Sequence, residues 1–455
     1  MALGESRRRI GVFSHGGTRN LGDEALLAAV IQNVRVRIPT AEVLGFTINP
    51  HDTEHRHGIT SFPIRHLQLA KSEDSRNVGV GASNAHPGTS KARVVQRIKN
   101  RLKGVPGLRS FATALQAVAH TSRSVLAEPI FLVRSFRRLR GVELLLIAGS
   151  QQLNDGYGGA WGFPYTLFKW TMLAKLTGTK VAILSVGAGP ISSPLSKFFF
   201  KRVLNTVSYR SYRDEISSRL MASMGIKGKH PVYPDLVYSL QLPAPRPAPG
   251  ASERAVVGTN PVPFFDGRYW PTPDPALYRQ YVSKFARFAE WLDQNNRAVL
   301  FFPTQVRADK LTIEDIQRDM NGLSHSSNIL RTQPVHNLED LVSEIARADF
   351  VVANRYHGIL ISLMMNKPVL GVAYHEKSRA LLSQVGQGDY VLNIADFKTE
   401  DLISRFCSLQ ANAQQIKATI AAHMEPLRRA LDEQYDSVVG LVGVRSTVRS
   451  VGPGK

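Results

Sequence analysis

Short apolar runs that end in polar or glycine-bearing turns, each followed by a helical pattern, recur along this chain and restrict it to a parallel α/β fold. The sharpest instance is Phe350-Val351-Val352-Ala353. It breaks into Asn354-Arg355-Tyr356-His357-Gly358 before a helix bearing Ile359, Leu360, Leu363 and Met364. A strand apolar on both faces has to be covered on both sides, as in a parallel sheet. Arg355 and His357 then fall at the carboxyl edge of a sheet and the amino end of a helix. Open α/β sheets bind ligands at that edge, and helix amino ends favour anions. A second strand, residues 369–373, delivers Tyr374 and Lys377 to the same edge. Cationic groups therefore converge where a small, doubly anionic ligand fits.

The pattern occurs in two halves. The first reads as strands at 10–14, 43–48, 142–148, 180–186 and 207–211, with helices at 23–37, 163–176, 195–207 and 213–224 and a closing segment at 231–240. Leu27, Val30, Ile31 and Val34 give the first helix an apolar stripe, with Asn20 as its cap and Asp23 in its first turn. The second half reads as strands at 255–258, 298–303, 350–353, 369–373 and 390–394. Its helices lie at 274–295, 337–347, 358–366 and 377–386, and a long helix from 399 is broken near Pro426. Residues 241–252 carry four prolines and no periodicity, which marks a linker. The expected architecture is two Rossmann-like α/β domains with parallel sheets facing a central cleft, a GT-B-like arrangement. The first domain is 1–242, the linker 243–252, the second domain 253–446, and 447–455 a flexible tail.

Composition narrows the class. Hydrophobic residues make up 43% and charged residues 20% of 455, as in soluble globular proteins. The longest apolar runs, such as 359–365, are too short to span a bilayer. No export signal is visible, and the lone Cys407 excludes a disulfide framework. A cytoplasmic location is expected. The net charge of +21 points to anionic partners. Residues 91–140 hold twelve Lys or Arg against the single acid Glu128, half of that surplus. This stretch reads as a solvated helical insertion or as a contact with an anionic membrane surface at its inner face, behind a disordered segment at 71–92. No aromatic interleaving supports nucleic-acid binding. No metal site is expected, because no His or carboxylate cluster has ligand spacing.

Several first-half turns are ligand-facing or merely structural by sequence alone. His15-Gly16-Gly17 with Asn20, Gly22 and Asp23 joins a strand to a helix. Gly149-Ser150-Gln151-Gln152-Leu153-Asn154-Asp155 follows a buried strand, and its amides and acid suit sugar hydroxyls. Gly187-Ala188-Gly189-Pro190 allows close backbone approach. Arg213 opens a helix that Asp214 caps, and Asp235 lies at the linker edge.

Taken in order, these landmarks resemble the polysaccharide pyruvyl transferase family. The resemblance lies in Asn20-Leu21-Gly22-Asp23-Glu24-Ala25, Ile147-Ala148-Gly149 with Leu153 and Asp155, and Val186-Gly187-Ala188-Gly189-Pro190. It continues in Arg213-Asp214-Glu215-Ile216-Ser217, Pro234-Asp235, Arg355-Tyr356-His357, Lys367-Pro368 and Tyr374-His375-Glu376-Lys377. The chain departs from the family pattern where Ser150-Gln151 replaces a run of glycines, and in the insertion at 71–140. The resemblance implies transfer from phosphoenolpyruvate, as co-substrate without a further cofactor, to a sugar of a polysaccharide or its lipid-linked precursor. Arg355 and Lys377 would bind the anionic groups. His357 would bind phosphate or donate a proton. Asn20, Asp23 and Asp155 would orient acceptor hydroxyls. The alternatives are a nucleotide-sugar-dependent glycosyltransferase on the same fold and a non-catalytic, membrane-associated polysaccharide assembly protein.

Overall fold

The computed structural model describes residues 7–66, 127–156, 158–246, 254–270, 272–320, 329–330 and 333–444. Both sheets lie in one compact unit, formed by the described residues up to 64 and from 141 onwards. Residues 65–140 separate from it; within them, 127–139 are helical. The expected disorder at 71–92 and flexibility at 447–455 lie outside the described residues, as do most of the basic stretch 91–140 and most of the linker.

In the first half, β1 (Arg9–Phe13), α1 (Leu21–Arg37), β2 (Glu42–Thr47), α2 (Pro50–His57), β3 (Ser61–Pro63) and β4 (Val142–Ala148) follow in sequence. Then come α3 (Phe163–Thr177), β5 (Lys180–Val186), α4 (Pro194–Leu204), β6 (Tyr209–Tyr212) and α5 (Glu215–Ser223), with a 3-10 turn at Leu236–Ser239. The sheet order is β3-β2-β1-β4-β5-β6, and every pairing is parallel. The second half has β7 (Val256–Asn260), α6 (Pro275–Gln294), β8 (Ala298–Phe301), α7 (Val306–Asp319), β9 (Ile329–Leu330), α8 (Leu338–Ala346) and β10 (Phe350–Ala353). It continues through α9 (Tyr356–Met364), β11 (Val369–Ala373), α10 (Glu376–Gln384), β12 (Val391–Asn393), α11 (Thr399–Ala411) and α12 (Ala413–Gly440). Its order, β12-β11-β10-β7-β8-β9, repeats the topology of the first sheet, again all parallel. The fold is therefore two Rossmann-like domains in a GT-B-like arrangement. Each sheet reverses strand order once, at β1/β4 and at β7/β10, and such a crevice is where ligands bind.

The sequence reading missed α2, β3, α7 and β9. Strand β3 is three residues long, and α2 is polar along most of its length, so neither carries an apolar period. Helix α7 does carry one, buried through Ala308, Thr312, Ile313 and Ile316. The break expected at Pro426 lies instead at Asn412, between α11 and α12; Pro426 is accommodated inside α12. That helix then returns to the first half. The buried Arg37 binds Asp432 and Asp436 on it, and Gln434 bonds Ser185 and Ser211.

Helix α1 is buried far beyond the expected stripe, with Leu21, Ala25, Leu26 and Ala29 enclosed too. A helix apolar all round is one covered on every side. Here the first half covers one flank. At its start the second half meets it: the Leu21 amide donates to the Thr304 carbonyl at 3.1 Å, and Asn20 forms an antiparallel bridge with Gln305. Among the described residues, no helix is long and apolar enough to cross a membrane.

Candidate active site

The amino ends of α1 and α9 meet head to head. Asn20 caps α1, its side-chain oxygen accepting from the Gly22 amide at 3.1 Å. A Cβ on Gly22 would lie 1.9 Å from His357 Nδ1, so only glycine lets the two helix starts touch. Next in the same turn is the buried Asp23, whose Oδ1 accepts from the Ser150 hydroxyl at 3.2 Å. Burial, reinforced by neighbouring Glu24, pushes the Asp23 carboxyl up to about 6; Ser150 and Lys377 only partly offset this. Glu24 itself is used locally, accepting from the Gly17 amide at 2.8 Å and facing His57 Nε2 at 2.8 Å.

Four cationic or imidazole groups surround the junction. Arg213 follows β6 and is buried, with Nη1 donating to Asp235 Oδ2 at 3.3 Å. Its guanidinium lies 4.9 Å from the centre of the Tyr356 ring, which Lys377 Nζ also approaches at 5.7 Å. Burial disfavours charge on Arg213, but Tyr356, Asp235 and Asp214 outweigh it and raise its pKa. Arg355 donates from Nε at 3.0 Å and Nη2 at 2.6 Å to one oxygen of the fully buried Asp309. The other Asp309 oxygen accepts from the Thr304 and Gln305 amides at 3.0 and 2.8 Å. That leaves Arg355 Nη1 without a protein hydrogen bond among the described residues. Lys377 reaches Gln151 Oε1 at 3.4 Å; burial and then Arg213 bring its pKa down to about 8. Burial, reinforced by Arg213, Lys377 and Arg355 against the opposing Asp235, brings His357 down to about 4. Its Nε2 is buried with no hydrogen-bond partner among the described residues.

The structure thus draws together Gly22, Asp23, Arg213, Asp235, Arg355, His357 and Lys377. Tyr374 is half-buried, its ring 6.1 Å from Trp270, and acts electrostatically on Arg355. Gly187 lies at the same junction, where a Cβ would come within 2.6 Å of Arg213 Nη2. Further contacts hold the loops. Gly149, at φ 35, and Ser150, at φ 57, form the turn that lifts Ser150 towards Asp23. The amides of Gly187 and Gly189 donate to the Ser150 and Leu153 carbonyls at 2.8 and 2.9 Å and lock this loop to the next. Asp155 is bonded to the loop that precedes α4. Its Oδ2 accepts from the Ser192 and Ser193 amides at 3.0 and 2.9 Å. Burial works to raise its pKa, yet those bonds hold it below the usual carboxylate range. Asp214 caps α5 through the Ser217 amide at 2.7 Å.

Sequence reasoning did not single out Ser150, Gln151, Tyr356 or Asp309 as separate site residues. The first two occupy the turn that departs from the glycine-rich pattern, which was the signal available. Asp309 lies in the first turn of the missed α7. An acid there, four residues after the helix cap Gln305, was legible only once the helix itself was recognised.

Chemically, the cleft offers cations for a small multiply charged anion, an uncharged imidazole and a carboxyl titrating near neutrality. Solved structures similar to the chain share the fold. The MnaA–UDP complex of S. aureus has a TM-score of 0.56 at 9% identity, over 97% of this chain and 100% of that one. A UDP-N-acetylglucosamine 2-epimerase structure gives 0.54 at 10%, over 99% and 100%. The UDP-GlcNAc 2-epimerase of Methanocaldococcus jannaschii gives 0.50 at 10%, over 88% and 92%. No curated protein matches the chain in sequence. The family model for polysaccharide pyruvyl transferase matches residues 20–376, from the cap of α1 to the start of α10. The chain belongs to the polysaccharide pyruvyl transferase family.

Proposed function

We propose that the chain moves the pyruvyl group of phosphoenolpyruvate onto a sugar of a polysaccharide or of its lipid-linked precursor, forming a ketal and releasing phosphate. The observation that carries this reading is the convergence of Arg213, Arg355 and Lys377 on His357, whose Nε2 has no partner among the described residues, opposite Asp23. Phosphoenolpyruvate carries a carboxylate and a phosphate, and guanidinium groups bind both well. Arg355 offers the free Nη1 edge of a side chain already fixed by Asp309.

The reaction protonates the methylene carbon and makes the neighbouring carbon an oxocarbenium-like centre, which two sugar hydroxyls attack in turn. Lys377, at about 8, is protonated at neutral pH yet close enough to it to give up a proton. His357, at about 4, is uncharged there and holds a phosphate oxygen through Nε2. Asp23, at about 6, is ionised at neutral pH and takes the proton of the attacking hydroxyl. Of the two hydroxyl protons lost, one balances the proton given to carbon and the other leaves with phosphate.

The test is to incubate the protein with phosphoenolpyruvate and oligosaccharide acceptors, free and lipid-linked, following phosphate release and the ketal methyl signal by NMR. Ketal and phosphate in equal amounts support the reading. Consumption of a nucleoside diphosphate sugar, with phosphoenolpyruvate untouched, would replace it by glycosyl transfer.

A further inference from the structure

Helix α4 presents an outer face that its own domain does not cover. Its inner face packs Phe199, Phe200, Val203 and Leu204 into the core. The outer face shows Leu195 at 38% and Phe198 at 47% exposure, among the exposed Lys197, Lys201 and Arg202. Arg202 lies over the Phe198 ring at 5.4 Å. Beside them Trp161 is 65% exposed and is held in place edge-on to Phe199 and Tyr165, at 6.0 and 5.3 Å. No acid occurs in residues 194–204. Lys197 and Lys201 also line a 290 Å³ pocket between α4 and α5, with Ile191, Leu220 and Met224 as its apolar wall and Ser223 as a hydroxyl.

We propose that this face of α4, with Trp161, docks the protein on a bilayer that carries anionic lipids. Aromatic and leucine side chains flanked by lysine and arginine match an interface with an apolar interior and a negative surface. The long cationic side chains reach the headgroups while their stems lie on apolar surface. A second copy of the chain fits poorly. Self-complementary packing would set Lys197, Lys201 and Arg202 against their own like on a molecule of net charge +21. The assignment stands apart from the chemistry of the cleft, and it differs from attachment through residues 91–140.

The full chain is floated with vesicles of equal phosphatidylcholine and phosphatidylglycerol, and with phosphatidylcholine alone. Binding to the first only is expected. It should fall about 100-fold in the K197Q/K201Q/R202Q variant, since each cation near an anionic surface contributes roughly fivefold. Thermal unfolding of that variant should match wild type, because the three side chains are exposed. Phe198→Ser, measured separately, should lose about tenfold from the buried apolar area alone. The tryptophan emission shift seen on adding vesicles should disappear in Trp161→Phe. Equal binding by wild type and the triple variant would overturn the proposal in favour of another surface. So would no binding by wild type. A dimer in sedimentation that Trp161→Ser dissociates would assign the face to self-association instead.

Discussion

The two halves share a topology and also a device, a guanidinium at a strand end anchored by a carboxylate of its own half. Yet the two arginines are held differently. Arg355 gives two hydrogen bonds to Asp309, which two backbone amides fix in turn. Arg213 has one longer bond to Asp235, a looser ion pair with Asp214 at 3.7 Å, and the ring of Tyr356, a residue of the other half, against its guanidinium. Arg355 is therefore set before the halves meet, whereas the environment of Arg213 is completed by their contact. The second half fixes its guanidinium by itself. The first contributes the titratable carboxyl and a cation that depends on closure.

The largest effects are expected from removing each arginine. Arg355→Ala should lower kcat/KM for phosphoenolpyruvate by about 10³-fold, and Arg355→Lys should restore little, because a point charge does not reproduce the fork. Arg213→Ala should cost about 10²-fold. Steady-state kinetics checks both, and equal losses would erase the distinction.

Gly22→Ala attacks the contact itself. Its methyl would overlap His357 Nδ1, so the halves must part or the imidazole must move. A loss of about 10²-fold in activity is expected, with thermal stability lowered by about 1–3 kcal/mol. Small-angle scattering should show a more open particle, which unchanged scattering with full activity would contradict.

The buried carboxyl predicts a stability effect of opposite sign. Asp23 titrates at about 6 when folded, against 3.8 for the ordinary group. Its raised pKa contributes stability fully below 3.8, and that contribution is lost as pH rises through about 6. Asp23→Asn removes this loss. Relative to wild type it should gain up to about 3 kcal/mol between pH 4 and pH 8, read by denaturant titration, while losing turnover. In wild type, activity should rise with pH through about 6 and fall above about 8 as Lys377 loses its proton.

The smallest effect concerns the anchors. Asp309→Asn keeps an acceptor for the Thr304 and Gln305 amides but weakens the grip on Arg355, and should raise KM for phosphoenolpyruvate about tenfold. Asp235→Asn should change KM less. The reverse order would place the rigid anchor in the first half.

The fold was legible because parallel strands buried on both faces carry continuous apolar runs, and because Gly, Pro and Asp punctuate their ends. Strands β5, β10 and β11 needed only that signal. The missed α2 and β3 are short or polar: α2 rests on its Asn49 cap, Pro50 and the left-handed Gly58 at its end, and β3 on pairing with β2. At the site, the placing of Arg355, His357 and Lys377 at strand ends was readable. The partners of Arg355 and Lys377 were not: Asp309 lies 46 residues before Arg355, and Gln151 lies 226 before Lys377. Whether an acid such as Asp155 faces a ligand or a neighbouring backbone is set by loop geometry, which no periodicity encodes.

Calorimetric titration of phosphoenolpyruvate into wild type, Arg355→Ala and Arg213→Ala tests the anion edge most directly. Saturable binding to wild type is expected, with at least about 10²-fold weaker binding to Arg355→Ala and a smaller loss in Arg213→Ala. Undiminished binding to Arg355→Ala, or heat from a nucleoside diphosphate with none from phosphoenolpyruvate, would contradict that expectation.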